Sequence, residues 1–206
     1  MHKRNILITG AGSGIGAGLA VHLAESGHRI VVTDLDRAAA GAVAHGIEAA
    51  GGRSHWAALD VSHAAAVAAL FADPITGPVD VVINNAGLQH VSRLEDFDPA
   101  RWQLLVNVML VGAANMMRAA LPGMRARGHG RIVNIGSIHS LVASPYKSAY
   151  IAAKHGLIGL SKTVALENGD VDITVNTICP AYVRTPLVEQ QIARQAKEHG
   201  LPEERV

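Results

Sequence analysis

The sequence predicts an α/β fold: a doubly wound parallel sheet in three layers, formed by one domain over residues 1–206. Two observations predict it. Short aliphatic runs alternate with alanine-rich segments of helical period along the chain, which is the order of repeated βα units. One of these runs, Val79 to Ile83, is aliphatic without interruption, as in strands covered on both faces.

The elements follow in order. Asn5 to Thr9 is the first strand; it breaks into Gly10-Ala-Gly-Ser13-Gly14-Ile15-Gly16, and Ala17 to Glu25 continues as a helix. Glycines let the backbone turn tightly and approach a pyrophosphate, whose charge then meets the amides at a helix start. A plain turn would use the same glycines, so the flanking strand and helix are what single out a dinucleotide site. Arg29 to Asp34 is the second strand and ends in an acid about 20 residues beyond the glycines, where such a fold places the carboxylate that binds ribose hydroxyls. Asp34 therefore argues for NAD, although Arg37 nearby leaves an opening for NADP.

A helix over 36–50 leads to a strand from His55 to Leu59 that ends at Asp60-Val61, and Ser62 is expected to cap a helix reaching Phe71. After Val79 to Ile83 comes Asn84-Asn85-Ala86-Gly87, then a long helix over 99–125, a strand from Arg131 to Ile135 and a loop at Ser137. A helix carrying Tyr150 and Lys154 runs to about Glu167, and Asp172 to Ile178 is the last strand. Ligands of such sheets bind beyond the carboxyl ends of the strands, so Gly10, Asp34, Asp60, Asn84, Ser137 and Pro180 should share one edge.

Composition bounds the partners. The 206 residues allow one sizeable core; 49% are hydrophobic and 17% charged, and the net charge of +1 gives no electrostatic case for nucleic acid. No apolar run reaches the ~18 residues of a membrane span, and Met1 to Asn5 leads directly into a strand, so a cytoplasmic protein without membrane partners is the expectation. Cys179 is the single cysteine; it reads as a small buried hydrophobe and excludes an internal disulfide. None of the eleven histidines stands in a paired metal-helix arrangement, so no metal is expected.

Tyr150 and Lys154 stand four residues apart, on one face if the segment is helical. A nearby cation favours a phenolate over a phenol whose ordinary pKa is about 10, which is one way to build a base that exchanges protons with an alcohol or carbonyl. The same spacing also occurs on solvated helix faces.

The rest of the pattern decides between these readings. Thr9-Gly10-x-x-x-Gly14-Ile15-Gly16, Asp60-Val61, Asn84-Asn85-Ala86-Gly87, Asn107, Ser137, Tyr150-x-x-x-Lys154 and Pro180 through Thr185 occur in this order, and together they resemble the short-chain dehydrogenase/reductase family over nearly the whole chain. The resemblance implies a Rossmann-like fold with Tyr150 as general acid/base. It implies that Lys154 lowers the Tyr150 pKa and holds the nicotinamide ribose, and it gives Ser137 the substrate oxygen and Asn107 a helix kink and a relay water. NAD would be held by Gly10, Ser13, Gly14, Ile15, Gly16, Asp34, Asp60, Val61, Asn85, Tyr150, Lys154, Pro180, Val183 and Thr185.

Gln89-His90-Val91, Gly136-Ser137-Ile-His139, Lys147 and Thr185 through Gln191 narrow the resemblance to members that act on D-3-hydroxybutyrate. That implies a substrate carboxylate held by Gln89, His139, Lys147 and Gln191, beside Ser137 and Tyr150, and oxidation of D-3-hydroxybutyrate to acetoacetate. A small acid offers little apolar surface, so specificity must come from donors and a cation meeting the carboxylate. Another hydroxy acid, a polyol, a steroid or a 3-oxoacyl thioester stays open as substrate, as does a nucleotide-binding scaffold without turnover.

Where the family usually has Pro-Gly, this chain has Pro180-Ala181-Tyr182. It also ends at Val206, within what resembles a substrate lid over about 186–199, so a partial sequence lacking a final helix and strand is expected. The resemblance implies a homotetramer, or a dimer for a chain of this length. Met109, Met116 and Leu157 would serve either that interface or the core.

Overall fold

The structure, a computed structural model, describes residues 3–181 together with Val183 and Ile192. Its strands are β1 (Asn5–Thr9), β2 (Arg29–Asp34), β3 (Arg53–Ala58), β4 (Val81–Asn84), β5 (His129–Ile135) and β6 (Asp172–Ile178). They form one six-stranded sheet in the order β3-β2-β1-β4-β5-β6, with every pairing parallel. The helices are α1 (Gly14–Glu25), α2 (Arg37–Ala49), α3 (Ala64–Ala72), α4 (Pro99–Val106), α5 (Gly112–Arg127) and α6 (Ser148–Leu166). The chain reverses its direction of travel between β1 and β4, which creates the crevice where doubly wound sheets bind ligands.

The two-residue period of the strands builds the layers. Leu7, Val31, Val82 and Ile132 join one core with Val67 of α3, Met116, Met117 and Met124 of α5, and Leu157 of α6. Their strand neighbours Ile8, Ile30, Val32 and Ile83 join the opposite core with Ala20 and Ala24 of α1 and Ala44 and Ile47 of α2. Met109, Met116 and Leu157 are all buried within this chain, so they belong to the core and not to an intersubunit face.

Most boundaries follow local chemistry. The Asp36 carboxylate caps α2 by accepting from the Ala38 amide at 2.9 Å, and Asp98 caps α4 at Ala100 at 2.8 Å with Pro99 in the first turn. The cap of α3 differs from expectation. Ser62 donates its hydroxyl to Asp60 at 2.6 Å, and the His63 ring nitrogen accepts from the Ala66 amide at 3.3 Å.

The long helix runs from Pro99 to Arg127 and widens into a π-turn at Asn107–Val111. By length and composition alone it qualifies as a membrane span, but Met116, Met117, Ala120 and Met124 are buried in the first core, as suits a core helix.

A polar chain crosses this otherwise apolar layer. Asn84 Nδ2 donates to Asn134 Oδ1 at 2.8 Å, Asn134 Nδ2 donates to Ser161 Oγ at 2.8 Å, and Ser161 Oγ donates to the Leu157 carbonyl at 2.6 Å. It bonds β4 to β5 and β5 to α6 by side chains, where apolar contacts alone leave register less constrained. Asn134 is fully buried, so Asn134→Ala leaves its partners unpaired and should cost about 1–3 kcal/mol in urea unfolding with little change in the denaturant slope. A loss within experimental error would show that the chain contributes nothing net.

Candidate active site

The glycine loop fits a dinucleotide's phosphates. Gly10 has a left-handed φ of 60°, and a Cβ there would lie 2.8 Å from the Ala86 Cα. A Cβ on Gly16 would lie 2.3 Å from the Gly10 carbonyl oxygen, so the loop closes on itself only without side chains. Asn85 fastens it to the end of β4 by donating Nδ2 to the Thr9 carbonyl at 3.0 Å and the Gly10 carbonyl at 2.9 Å. At the start of α1, Ser13 makes no side-chain cap and the first turn holds no acid, which leaves the positive helix end open to an anion.

Asp34 closes the far side of the loop. Its Oδ2 accepts from the Gly12 amide at 2.9 Å and its Oδ1 from the Asp36 amide at 3.0 Å, and each oxygen keeps a lone pair for a hydroxyl donor. Arg37, the nearby cation, has its guanidinium over the Trp56 ring, 4.9 Å from the centroid.

The chemistry gathers on the first turns of α6. The Tyr150 ring belongs to a small core with Phe97, Leu105, Met109, Ala149 and Ala153, which fixes the side chain against α4 and the π-turn. Burial pushes the phenol above its ordinary value, and the Ser137 hydroxyl works against that rise. Lys154 donates to the Ile135 carbonyl at 2.6 Å and lies 5.7 Å from the Tyr150 ring centroid. Burial lowers its pKa from 10.5 to about 8, with Cys179 acting in the opposite direction.

The expected direct action of Lys154 on the Tyr150 pKa is therefore not what sets that group here. The ammonium is turned to a carbonyl, and burial dominates at the phenol. A neutral phenol at physiological pH is a proton donor, suited to protonating a carbonyl oxygen.

Ser137 is oriented by its own short 3-10 turn, Ile138–Ser140. Its Oγ accepts from the His139 amide at 3.1 Å while its amide donates to Ser140 Oγ at 3.1 Å, and its hydroxyl is hydrogen-bonded with the Tyr150 phenol. His139 stands edge-on to Tyr150 at 6.2 Å between centroids. Its pKa is lowered by burial first and then by the Lys147 charge, so the imidazole is neutral at physiological pH. Lys147 is only 9% exposed, makes no ion pair among the described residues, and has its own pKa lowered by burial.

The remaining predicted residues divide in two. Gln89 is half-buried, with its Oε1 accepting from the His90 amide at 3.2 Å, and the Asn107 amide oxygen accepts from Gln103 at 2.9 Å where the π-turn begins. Pro180 accepts from the Ile138 amide at 2.8 Å, tying the end of β6 to the Ser137 turn, and Val183 is exposed. Asp60 serves the turn before α3, and Val61 is buried against Gly112. Gly14, with a left-handed φ of 54°, and Ile15 open α1. Thr185, Gln191 and most of the 186–199 segment lie outside the described residues, as does Tyr182.

Two features near the site had no sequence signal. Cys179, expected to be a small buried hydrophobe, is only half-buried and lies near enough to Lys154 to influence it. Tyr146 takes a left-handed φ of 67° just before Lys147, which an aromatic residue does not announce.

Comparison with known proteins agrees with this geometry. The family model for short chain dehydrogenase matches residues 4–196. A D-beta-hydroxybutyrate dehydrogenase of Rhizobium meliloti is 45% identical over 209 residues, covering 98% of this chain and 80% of that protein. A protein of the same name from Cupriavidus necator is 41% identical over 206 residues, covering 99% and 80%. A gluconate 5-dehydrogenase from Burkholderia cenocepacia, solved with NADP and tartrate, superposes with a TM-score of 0.88 at 35% identity, covering 92% of this chain and 75% of that one.

The Lys154 geometry has a consequence for stability. Its folded pKa is depressed, so between about 8 and 10.5 the unfolded chain binds more protons than the folded one, and stability rises with pH across that window. Below about 8 the whole cost of the buried charge is present, on the order of 3 kcal/mol. Lys154→Met should therefore melt no lower than the native chain at pH 7, with its advantage shrinking as pH rises toward 10.5. A melting temperature several degrees lower at pH 7 would mean that the ammonium stabilises the fold.

Proposed function

The chain belongs to the short-chain dehydrogenase family and is an oxidoreductase, and on that premise we propose that it interconverts D-3-hydroxybutyrate and acetoacetate with NAD. The observation that carries the substrate is Lys147, a buried cation without an acid partner among the described residues, one turn before Tyr150 and beside neutral His139. A substrate carboxylate supplies the missing counter-charge, with His139 and Gln89 as added hydrogen-bonding groups and Gln191 as a further donor. Two relatives at 41% and 45% identity that bear the name D-beta-hydroxybutyrate dehydrogenase support the same reading.

The residues divide the work. Gly10, Gly14 and Gly16 keep the phosphate loop open, Ser13 and Ile15 open the helix beneath it, and Asn85 braces it. Asp34 accepts the adenosine ribose hydroxyls, and its charge opposes a 2′-phosphate; Arg37, engaged with Trp56, does not offset it. These features favour NAD even though the solved relative carries NADP. Bound NAD⁺ supplies the hydride acceptor.

In the reductive direction the neutral Tyr150 gives its proton to the substrate oxygen and is left as phenolate, and in the oxidative direction that phenolate takes the hydroxyl proton. Ser137, hydrogen-bonded to the phenol, holds the same substrate oxygen. Lys154 stays fixed by the Ile135 carbonyl and has donors left that would hold the nicotinamide ribose.

Mixing the protein with NAD and D-3-hydroxybutyrate should produce reduced-nicotinamide absorbance, with far weaker rates on polyols or with NADP. Tyr150→Phe should lower kcat by about 10²-fold or more, the range of general acid–base catalysis, while NAD titrates as in the native protein. Turnover close to native in that variant would remove Tyr150 from the chemistry.

A further inference from the structure

Tyr146 is the one non-glycine among the described residues whose backbone is left-handed, with φ at 67°. For a bulky side chain that conformation is strained and persists only where the surroundings impose it. Burial is not the compensation, because the ring is 43% exposed.

Two contacts hold it instead. The Tyr146 carbonyl accepts from the Ser92 amide at 2.9 Å, and the Arg93 guanidinium lies 5.9 Å from the ring centroid while also pairing with Glu95 at 3.7 Å. Both contacts come from the loop after β4, the loop that carries Gln89. The next residue, Lys147, is the N-cap of α6, and its carbonyl accepts from the Ile151 amide at 2.9 Å. Across one peptide bond the chain passes from a half-exposed ring to a largely buried lysine. The latch joins the two loops that bear Gln89 and Lys147.

We propose that Tyr146 is a positioning residue whose left-handed backbone, latched to the Ser92–Arg93 loop, aims Lys147 into the site and so sets the preference for anionic over neutral alcohols. This rests on Lys147 meeting a substrate carboxylate. Glycine holds the left-handed conformation without strain, whereas a β-branched residue resists it, so Tyr146→Gly should keep the Lys147 placement and Tyr146→Val should lose it. Ser92→Pro removes the amide donor of the latch while leaving Tyr146 in place.

The readout is the ratio of kcat/KM on D-3-hydroxybutyrate to kcat/KM on 2-butanol, an uncharged alcohol of the same carbon number, at saturating NAD. Tyr146→Val and Ser92→Pro should each lower that ratio by about tenfold, equivalent to ~1.4 kcal/mol, mainly through KM for the acid. Tyr146→Gly should stay within about threefold of native. Adding Tyr146→Val to Lys147→Ala should lower the ratio no further, since the two changes act through one group. A native ratio in both Tyr146→Val and Ser92→Pro, or equal losses on the two substrates, overturns the proposal. If Lys147→Ala itself leaves the ratio at the native value, the carboxylate reading fails and this inference with it. If Lys147→Ala collapses the ratio but Tyr146→Val does not, only the positioning role is lost.

Discussion

The constraint on which the site depends is the burial of the Lys154 ammonium. It is 4% exposed and forms no ion pair among the described residues, and its directed partner is one carbonyl, that of Ile135, at 2.6 Å. A buried charge costs several kcal/mol unless its geometry is good, so the end of β5 and the start of α6 must be held in fixed relation. The sequence of α6 does this along one face. Lys154, Leu157 and Ser161 follow at i, i+3 and i+7: the first reaches the carboxyl end of β5, the second fills the core, and the third accepts from Asn134, the residue before that end. Thr177 of β6 donates to the same serine at 2.8 Å, so α6 is tied to two strands at once.

The other flank of α6 meets the long helix, and there small residues set the distance. A Cβ on Gly156 would lie 2.9 Å from Leu110, and on another side of the long helix one on Gly112 would lie 2.5 Å from Val61, in the turn before α3. The π-turn between α4 and α5 inserts its extra residue at the same level. Leu105 and Met109 then face Ala149, Ala153 and Tyr150, whereas Met116 and Met124 face the sheet. A regular helix would keep one face throughout, so the local widening lets a single 29-residue helix serve both the core and the tyrosine.

How far the sequence disclosed this depends on the kind of interaction. Strands such as Asn5–Thr9, Arg29–Asp34 and Asp172–Ile178 were legible to the residue, because aliphatic runs stop where glycine or a polar residue begins. The start of α1 at Gly14 was not, since glycine disfavours helix and only the anion-binding geometry of the loop overrides that tendency. His63 displaced Ser62 as the α3 cap because Asp60 claims the serine hydroxyl, a competition that spacing does not reveal. The positions of Ser137, Tyr150 and Lys154 came from motif spacing. The directions of their pKa shifts did not, because these depend on burial and on where the lysine nitrogen points.

The electrostatics of the site explain why its cations are ordered as they are. Lys147, the N-cap of α6, lies three residues before Tyr150, and Lys154 on the helix lies four after it. Two such cations would ordinarily draw a phenol down. The phenol nevertheless stays high, because its burial raises it and the Ser137 hydroxyl only partly opposes that rise; Lys154 is turned to a carbonyl. Each group thus has a separate role. Lys154 is fixed by the Ile135 carbonyl, Lys147 lowers the His139 pKa, and Tyr150 keeps its proton. The negative charge of Asp34 lies at the other end of the same strand edge, beyond the glycine loop, so the edge is polarised along its length.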